Sequence, residues 1–126
     1  MAMAPSTAWR HKFGLAGERF AEGLLRDAGL TIVARRFRRR GGEVDLVALD
    51  GATLIFVEVK TRRPGPHGAA VESVSLTKRR RLAATARHYL RETGQSWRPV
   101  RFDVVAVTSD RAGRLSARWI RDAFRP

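Results

Sequence analysis

The segment Leu54-Ile55-Phe56-Val57-Glu58-Val59-Lys60 joins an apolar run to an acid and an amine two residues apart. The β-branched and aromatic run is typical of a buried strand. Alternation along a strand places Glu58 and Lys60 on one face and Val57 and Val59 on the other. The segment therefore predicts a core strand whose end carries two chemically active side chains.

Lysine at position 60 is itself informative, because only 3 of the 25 basic residues in the chain are lysines. The pKa of a lysine amine shifts readily, so Lys60 could position or help deprotonate a water, whereas an arginine stays charged. The alternative is a surface ion pair on an edge strand. The tripeptide alone favours that alternative.

A second strand from Glu43 to Leu49 precedes the strand from Ala52 to Lys60. Asp50-Gly51 between them is a strong signal for a two-residue hairpin loop. In that register Leu49 lies opposite Ala52, Asp45 opposite Phe56 and Glu43 opposite Glu58. The pattern predicts a cluster on one sheet face, made of Glu43, Asp45, Glu58 and Lys60.

Three carboxylates this close are costly unless a cation lies among them. Mg²⁺ prefers carboxylate oxygens and keeps several waters, so two or three acids suffice. Asp45 and Glu58 are the best candidate ligands for Mg²⁺ or Mn²⁺, and the Val59 carbonyl could add another oxygen. Glu18 lies on the border of the apolar face of the first helix and is a further candidate ligand. The alternative, that Glu18 is simply a solvated residue of the helix, fits the pattern equally well.

The rest of the chain predicts one α/β domain with helices around a mixed sheet. A disordered leader is expected at residues 1–12 and a single domain at 13–126. A strand, a crossover helix and another strand indicate a parallel pairing. The predicted elements are a helix from Phe13 to Ala28 ended by Gly29, a strand from Leu30 to Ala34, a mobile loop at 62–70, a helix from Leu76 to Glu92 capped by Ser75, strands from Phe102 to Val107 and Ser116 to Ile120, and a short helix from Asp122 to Phe124.

Charge indicates the partner. The chain has 25 basic and 12 acidic residues, a net charge of +13 and a sequence pI near 11.8. Such an excess favours a polyanion, and nucleic acid above all. A membrane is not expected, because no segment approaches the ~20 apolar residues of a spanning helix. The absence of cysteine excludes disulfides and cysteine-bound metals, and with no signal peptide recognised it predicts a cytoplasmic protein.

The basic residues suggest where phosphate would bind. The run Arg35 to Arg40 is ordinarily a solvated surface, but beside a predicted metal-binding cluster of acids phosphate contact is the better interpretation. The three histidines are too scattered for a zinc site. The predicted nucleic-acid contacts are Arg36, Arg38, Arg39, Arg40, Arg62, Lys78 and Arg81.

An acid on one strand followed by acid-x-Lys on the next resembles the PD-(D/E)xK nucleases. The blocks Gly42-Glu43-Val44-Asp45 and Phe56-Val57-Glu58-Val59-Lys60-Thr61-Arg62, with Ala16-Gly17-Glu18-Arg19-Phe20 before them, resemble the YraN family. Arg101-Phe102-Asp103 and Trp119-Ile120-Arg121-Asp122-Ala123-Phe124 extend the resemblance over about residues 13–124.

This resemblance implies a restriction-endonuclease-like fold related to archaeal Holliday-junction resolvases. It implies Glu18, Asp45, Glu58 and Lys60 as catalytic residues, and a homodimer. One departure is Val44, which stands where the broader pattern has proline.

Three functions are compatible with these observations. The leading one is a metal-dependent DNA endonuclease, acting on branched or damaged DNA. The second is a nucleic-acid-binding module that keeps the nuclease scaffold without cutting. The third is a subunit whose basic face binds an acidic protein. The intact acids and Lys60 favour the first.

Overall fold

The computed structural model describes residues 7–62 and 74–125, with side chains from residue 14 onward. Within these residues, two helices and five strands follow one another. They are α1 (Thr7–Asp27), β1 (Thr31–Arg39), β2 (Gly42–Asp50), β3 (Thr53–Arg62), α2 (Leu76–Glu92), β4 (Val100–Ser109) and β5 (Leu115–Ile120).

The five strands form one mixed sheet in the order β1-β2-β3-β4-β5. Strands β3 and β4 are parallel, as predicted, because α2 crosses over between them; the other neighbours are antiparallel. Helix α1 packs on one face of the sheet and α2 on the other. The α/β prediction is confirmed, and the arrangement is consistent with a restriction-endonuclease-like fold.

Each face of the sheet has its own core. On the α2 side Phe56 packs edge-on against Tyr89 and stacks on Phe102, both with ring centroids 5.7 Å apart. On the α1 side Leu25 packs with buried strand residues such as Leu46 and Ile55. The chain thus buries both faces of its central strands, which accounts for the uninterrupted apolar run of β3.

Several element boundaries differ from prediction. Helix α1 begins at Thr7 rather than Phe13, and β1 continues to Arg39 rather than ending at Ala34. The predicted leader below residue 7 and most of the predicted loop at 62–70 lie outside the described residues. Helix α2 has the predicted bounds, and its Ser75 cap is confirmed by a 3.1 Å hydrogen bond from the Lys78 amide.

The short helix predicted from Asp122 to Phe124 is wrong. The Asp122 amide donates to Oδ1 of Asp103, and the Ala123 amide donates to the Phe102 carbonyl. These bonds tie the segment to β4, so its amides are not used for helical hydrogen bonds.

The hairpin register is also wrong. Asp50 pairs with Thr53, so the loop is Gly51-Ala52 rather than Asp50-Gly51. Gly51 has a φ of 58° and no positive φ occurs at Ala52, which fits a turn that needs glycine at its first central position. Partners on β3 therefore move by two residues, an even shift that keeps the paired β2 residues from Leu46 to Asp50 on their predicted faces.

Candidate functional site

The candidate site lies where β2 and β3 separate. Their backbone pairing ends at Leu46 and Val57, and beyond it the Val59 amide donates a 2.8 Å hydrogen bond to Oδ2 of Asp45. Continuing the observed register puts Asp45 opposite Glu58, not opposite Phe56 as predicted. A side chain thus replaces a backbone acceptor, and this holds the two acids together at the strand ends.

A cavity of about 440 Å³ opens beside these acids on the α2 side, and we call it the acid cavity. Glu43, Asp45 and Glu58 line it from the sheet, and Lys78 and Arg81 line it from α2. The side chain of Glu58 is only 7% exposed, and its Oε1 lies 3.0 Å from Nζ of Lys78. Lys78, predicted as a phosphate contact, is therefore ion-paired with one of the predicted metal ligands.

The two central acids repel each other in a poorly solvated place. Burial, followed by the charge of Glu58, raises the pKa of Asp45 to about 7, although the Val59 hydrogen bond opposes the rise. Burial also raises the pKa of Glu58, against the lowering effect of Lys78. The raised pKa values mean that the doubly ionised pair is unfavourable on its own. A bound cation would stabilise the two carboxylates in their charged form.

Lys60 lies beside this pair. Alternation along β3 puts Phe56, Glu58 and Lys60 on the α2 side, and Lys60 interacts electrostatically with Glu58 and Lys78. Burial lowers the pKa of Lys60, with Lys78 and Arg62 acting in the same direction against Glu58. This is the direction that helps a lysine act on a water.

Glu18 approaches Asp45 from the other side of the sheet. A second cavity, of about 430 Å³, is lined by residues of α1 and β1 together with Asp45, which thus borders both cavities. Oε2 of Glu18 accepts hydrogen bonds from Arg36 Nη2 at 2.7 Å and Nε at 3.1 Å. The structure therefore places Glu18 near the acids but ion-paired with a predicted phosphate contact.

The backbone is irregular at this point. Arg36, opposite Asp45 in the β1–β2 register, has a φ of 50°, a conformation that costs a non-glycine residue about 1–2 kcal/mol. On β2, Val44 packs in the α2-side core and Leu46 in the α1-side core, so strict alternation fails around Asp45. This irregularity lets Asp45 reach both cavities.

Two glycines bring the helices close to the site. A Cβ at Gly17 would clash with the side chain of Thr61, next to Lys60. A Cβ at Gly42 would clash with Oγ1 of Thr85 and lie 3.1 Å from the Arg81 carbonyl. Close packing at these points sets α1, with Glu18, and α2, with its basic residues, against the strand ends.

The arginine run on β1 is largely ion-paired within the chain. Arg35 binds both carboxylate oxygens of Glu22, and Arg39 binds both of Glu92. Arg38 lies 3.0 Å from Glu43. These pairs to both helices explain why β1 extends through the run, and they reduce the charge it offers to phosphate.

The oxygen donors of this site are of the kind that Mg²⁺ and Mn²⁺ prefer. Across residues 7–62 and 74–125 no group of three or more His, Asp or Glu side chains is arranged to hold a metal ion. Mg²⁺, however, is commonly held by one or two carboxylates plus waters. The N–H and C=O of one strand residue point to the same neighbouring strand, so the Val59 carbonyl is directed toward Asp45. Asp45, Glu58 and the Val59 carbonyl would supply three oxygens to such an ion.

Sequence reasoning missed the pairing of Lys78 with Glu58, although a signal was present. Lys78 precedes the buried Leu82 by four residues and therefore lies in line with the apolar stripe of α2. The ammonium of a lysine in line with a buried stripe needs an acidic partner at the edge of the core. Glu58 is that partner.

Residues 17–107 match the model of Uncharacterised protein family UPF0102. The chain is 48% identical over 113 residues to a UPF0102 protein of Symbiobacterium thermophilum, covering 90% of this chain and 96% of the relative. UPF0102 proteins of Rhodococcus jostii (45% over 111 residues, 88% and 94%) and Nitrosococcus oceani (42% over 113 residues, 89% and 90%) are similar over nearly their whole lengths. The chain belongs to the UPF0102 family, which confirms the resemblance to YraN proteins.

Proposed function

We propose that this UPF0102 protein is a metal-dependent endonuclease that cleaves DNA. The observation that supports this best is the pair of poorly solvated acids, Asp45 and Glu58, held together by the Val59 amide with Lys60 two residues further along β3. Membership of the PD-(D/E)xK nuclease superfamily is part of the proposal. Among the described helices none is long and apolar enough to cross a membrane.

In this proposal Asp45, Glu58 and the Val59 carbonyl would hold Mg²⁺ or Mn²⁺. The cation would neutralise phosphate charge and lower the pKa of a bound water. Lys60, whose own pKa is lowered by burial, would orient the attacking water, and its amine nitrogen in the neutral form would accept a proton from that water. Glu18 would supply a further carboxylate once Arg36 turns to the phosphate backbone.

The substrate is proposed from charge. Lys78 and Arg81 on α2 line the acid cavity, and the whole chain carries +13. Such a surface attracts the phosphate backbone irrespective of sequence. We propose DNA with branches or damage as the substrate class, encountered in the cytoplasm. The other exposed basic residues of α2 are Arg80, Arg87 and Arg91.

A cleavage assay with a matched control tests the proposal. The parent protein is incubated with linear, flapped and four-way-junction DNA in Mg²⁺ or Mn²⁺, beside Lys60→Ala and Arg111→Ala. Both variants lose one positive charge, but Arg111 lies exposed in the turn between β4 and β5. We expect Lys60→Ala to abolish cleavage with little change in DNA affinity, and Arg111→Ala to cleave normally.

Two other results would replace the proposal. Binding of DNA without cleavage of any substrate would support a nucleic-acid-binding module on a nuclease scaffold. Neither cleavage nor binding would turn attention to an acidic protein partner.

A further inference from the structure

Lys78 lies where a cation is needed. Its ammonium is 3.0 Å from Glu58 Oε1, inside the cavity that Asp45 and Glu43 also line. A carboxylate as buried as Glu58 requires a partner charge. In the structure this charge comes from helix α2 and not from the neighbouring strand alone.

The anchor of Lys78 is rigid while its side chain can leave. Its amide is fixed by Ser75 Oγ at 3.1 Å, and the first turn of α2 is also held by Arg79 Nε, which donates to the Val74 carbonyl at 2.8 Å. The side chain of Lys78 is 49% exposed, so its flexible stem has open solvent on one side. The ammonium can therefore move without any change in the helix.

We propose that Lys78 is a built-in counter-cation, whose ammonium occupies the Glu58 side of the site in the metal-free protein and is displaced when a divalent cation binds. This inference rests on the proposed function, because it assigns a competitor to the same acids. The displaced ammonium then lies at the mouth of the acid cavity, beside Arg81, where it is available to a phosphate.

The physical basis is competition for one carboxylate. A divalent ion bound by Asp45 and Glu58 would lie within a few ångströms of the present ammonium position, and like charges at that distance repel. Glu43 and Asp45 add negative charge to the cavity, and Lys60 and Arg81 add positive charge. Lys78 contacts Glu58 directly through its ammonium, so it is the group that an incoming cation would meet first on that carboxylate.

The first test measures Mn²⁺ binding by calorimetry in the parent protein, Lys78→Met and Arg81→Met. Lys78→Met keeps an unbranched stem but removes the competing charge, and we expect it to bind Mn²⁺ about 10-fold more tightly, within the usual range of coupling between two ligands. Arg81→Met removes the same charge from the same cavity without touching Glu58. It should change Mn²⁺ affinity by much less, and Glu58→Gln should abolish the binding.

The second test needs no substitution at position 78. The chain has only 3 lysines, at positions 12, 60 and 78, so acetylation by acetic anhydride can be read at each by mass spectrometry. Mn²⁺ should raise the acetylation rate of Lys78 several-fold relative to Lys12. An unchanged rate in the presence of saturating Mn²⁺ would overturn the inference.

The outcomes separate the two proposals. Mn²⁺ binding that depends on Glu58 but is equal in the parent protein and Lys78→Met would overturn the role of Lys78 and leave the endonuclease proposal standing. An equal increase of Mn²⁺ affinity in Lys78→Met and Arg81→Met would also overturn the role of Lys78. The loss of one positive charge would then explain both results. If neither the parent nor Lys78→Met binds Mn²⁺ through Glu58, the metal-dependent function fails, and the inference with it.

Discussion

The Val59 amide donates to Oδ2 of Asp45 at 2.8 Å, so a side chain continues the β2–β3 ladder where the backbone pairing ends. The bond holds Asp45 in position, although burial and then the charge of Glu58 raise its pKa. Two effects oppose each other here. The hydrogen bond favours the ionised form of Asp45, whereas burial and the charge of Glu58 disfavour it. A site that costs stability is common where chemistry is performed.

Replacing Asp45 by asparagine should therefore stabilise the metal-free protein. The amide oxygen of asparagine still accepts from Val59, while the repulsion with Glu58 disappears. We expect the free energy of unfolding at pH 8 to rise by about 1–2 kcal/mol. Urea denaturation in the presence of EDTA measures this change, and a loss of stability would contradict our account of the Asp45–Glu58 pair.

Asp103 is the matched control, because it is a buried aspartate whose charge is compensated. It accepts hydrogen bonds from Arg101 at 2.8 and 2.9 Å, from the Trp119 ring and from the Asp122 amide. The same substitution there, Asp103→Asn, should destabilise the protein by about 3–5 kcal/mol, because Arg101 loses its charged partner. If the free energy of unfolding rises on substitution of Asp45 and falls on substitution of Asp103, the two buried acids are distinguished as functional and structural.

Stability of the metal-free protein should fall as the pH rises from about 5 to 7.5. The ordinary pKa of aspartate is near 3.8, and Asp45 has a pKa of about 7 in the folded protein. Between these values the folded state binds more protons than the unfolded state, so raising the pH favours unfolding. The elevated pKa of Glu58 acts in the same direction.

The urea midpoint, measured at each pH in both the parent protein and Asp45→Asn, isolates the contribution of Asp45 to the pH dependence of stability. The two proteins differ only at position 45, so every other titrating group contributes equally to both. The difference between the two proteins should widen with pH and level off above about pH 8. A constant difference would mean that Asp45 does not titrate in this range.

Much of this arrangement could be predicted from the sequence, because it depends on local periodicity. Strand alternation along β3 predicted which side chains lie on each face of the sheet. The apolar stripe and the Ser75 cap predicted both ends of α2, Leu76 and Glu92. The register was missed because Gly51 can occupy either central position of a two-residue loop, and only the backbone torsions decide between them. The shift was even, and Glu43, Asp45 and Glu58 all line one cavity.

What could not be predicted depends on contacts between distant segments. The arginine run on β1 looks like a phosphate-binding surface until Glu22 and Glu92 approach from opposite helices. The left-handed Arg36 has no sequence signature, since arginine does not favour that conformation. Such features arise when α1 and α2 close on the sheet.

Close packing of α1 on β3 should make Gly17 intolerant of alanine. An added Cβ would clash with Thr61, so Gly17→Ala should destabilise the protein by about 1–3 kcal/mol. Gly23 lies in the same helix with no atom within 4 Å of an added Cβ, so Gly23→Ala should stabilise by about 0.5–1 kcal/mol. Thermal unfolding of both variants decides the matter, and equal effects would remove the argument that Gly17 positions Glu18.

The final prediction compares two pairs of arginines for DNA binding. Arg38 and Arg39 on β1 are ion-paired with Glu43 and Glu92, whereas Arg80 and Arg81 on α2 form no ion pair with any residue in the described ranges. A guanidinium that must first leave a glutamate gains less from a phosphate. Replacing Arg80 and Arg81 by glutamine should therefore weaken DNA binding more than replacing Arg38 and Arg39, although each double variant loses two charges.

Salt dependence makes this comparison quantitative. The slope of the logarithm of affinity against the logarithm of salt concentration should fall by about 0.9 for each phosphate that the protein no longer neutralises. For the α2 pair we expect a fall of about 1.8, and for the β1 pair a smaller one, measured by fluorescence anisotropy with a short duplex. A larger effect of Arg38 and Arg39 would show that DNA displaces their glutamates, and would move the interface from α2 to β1.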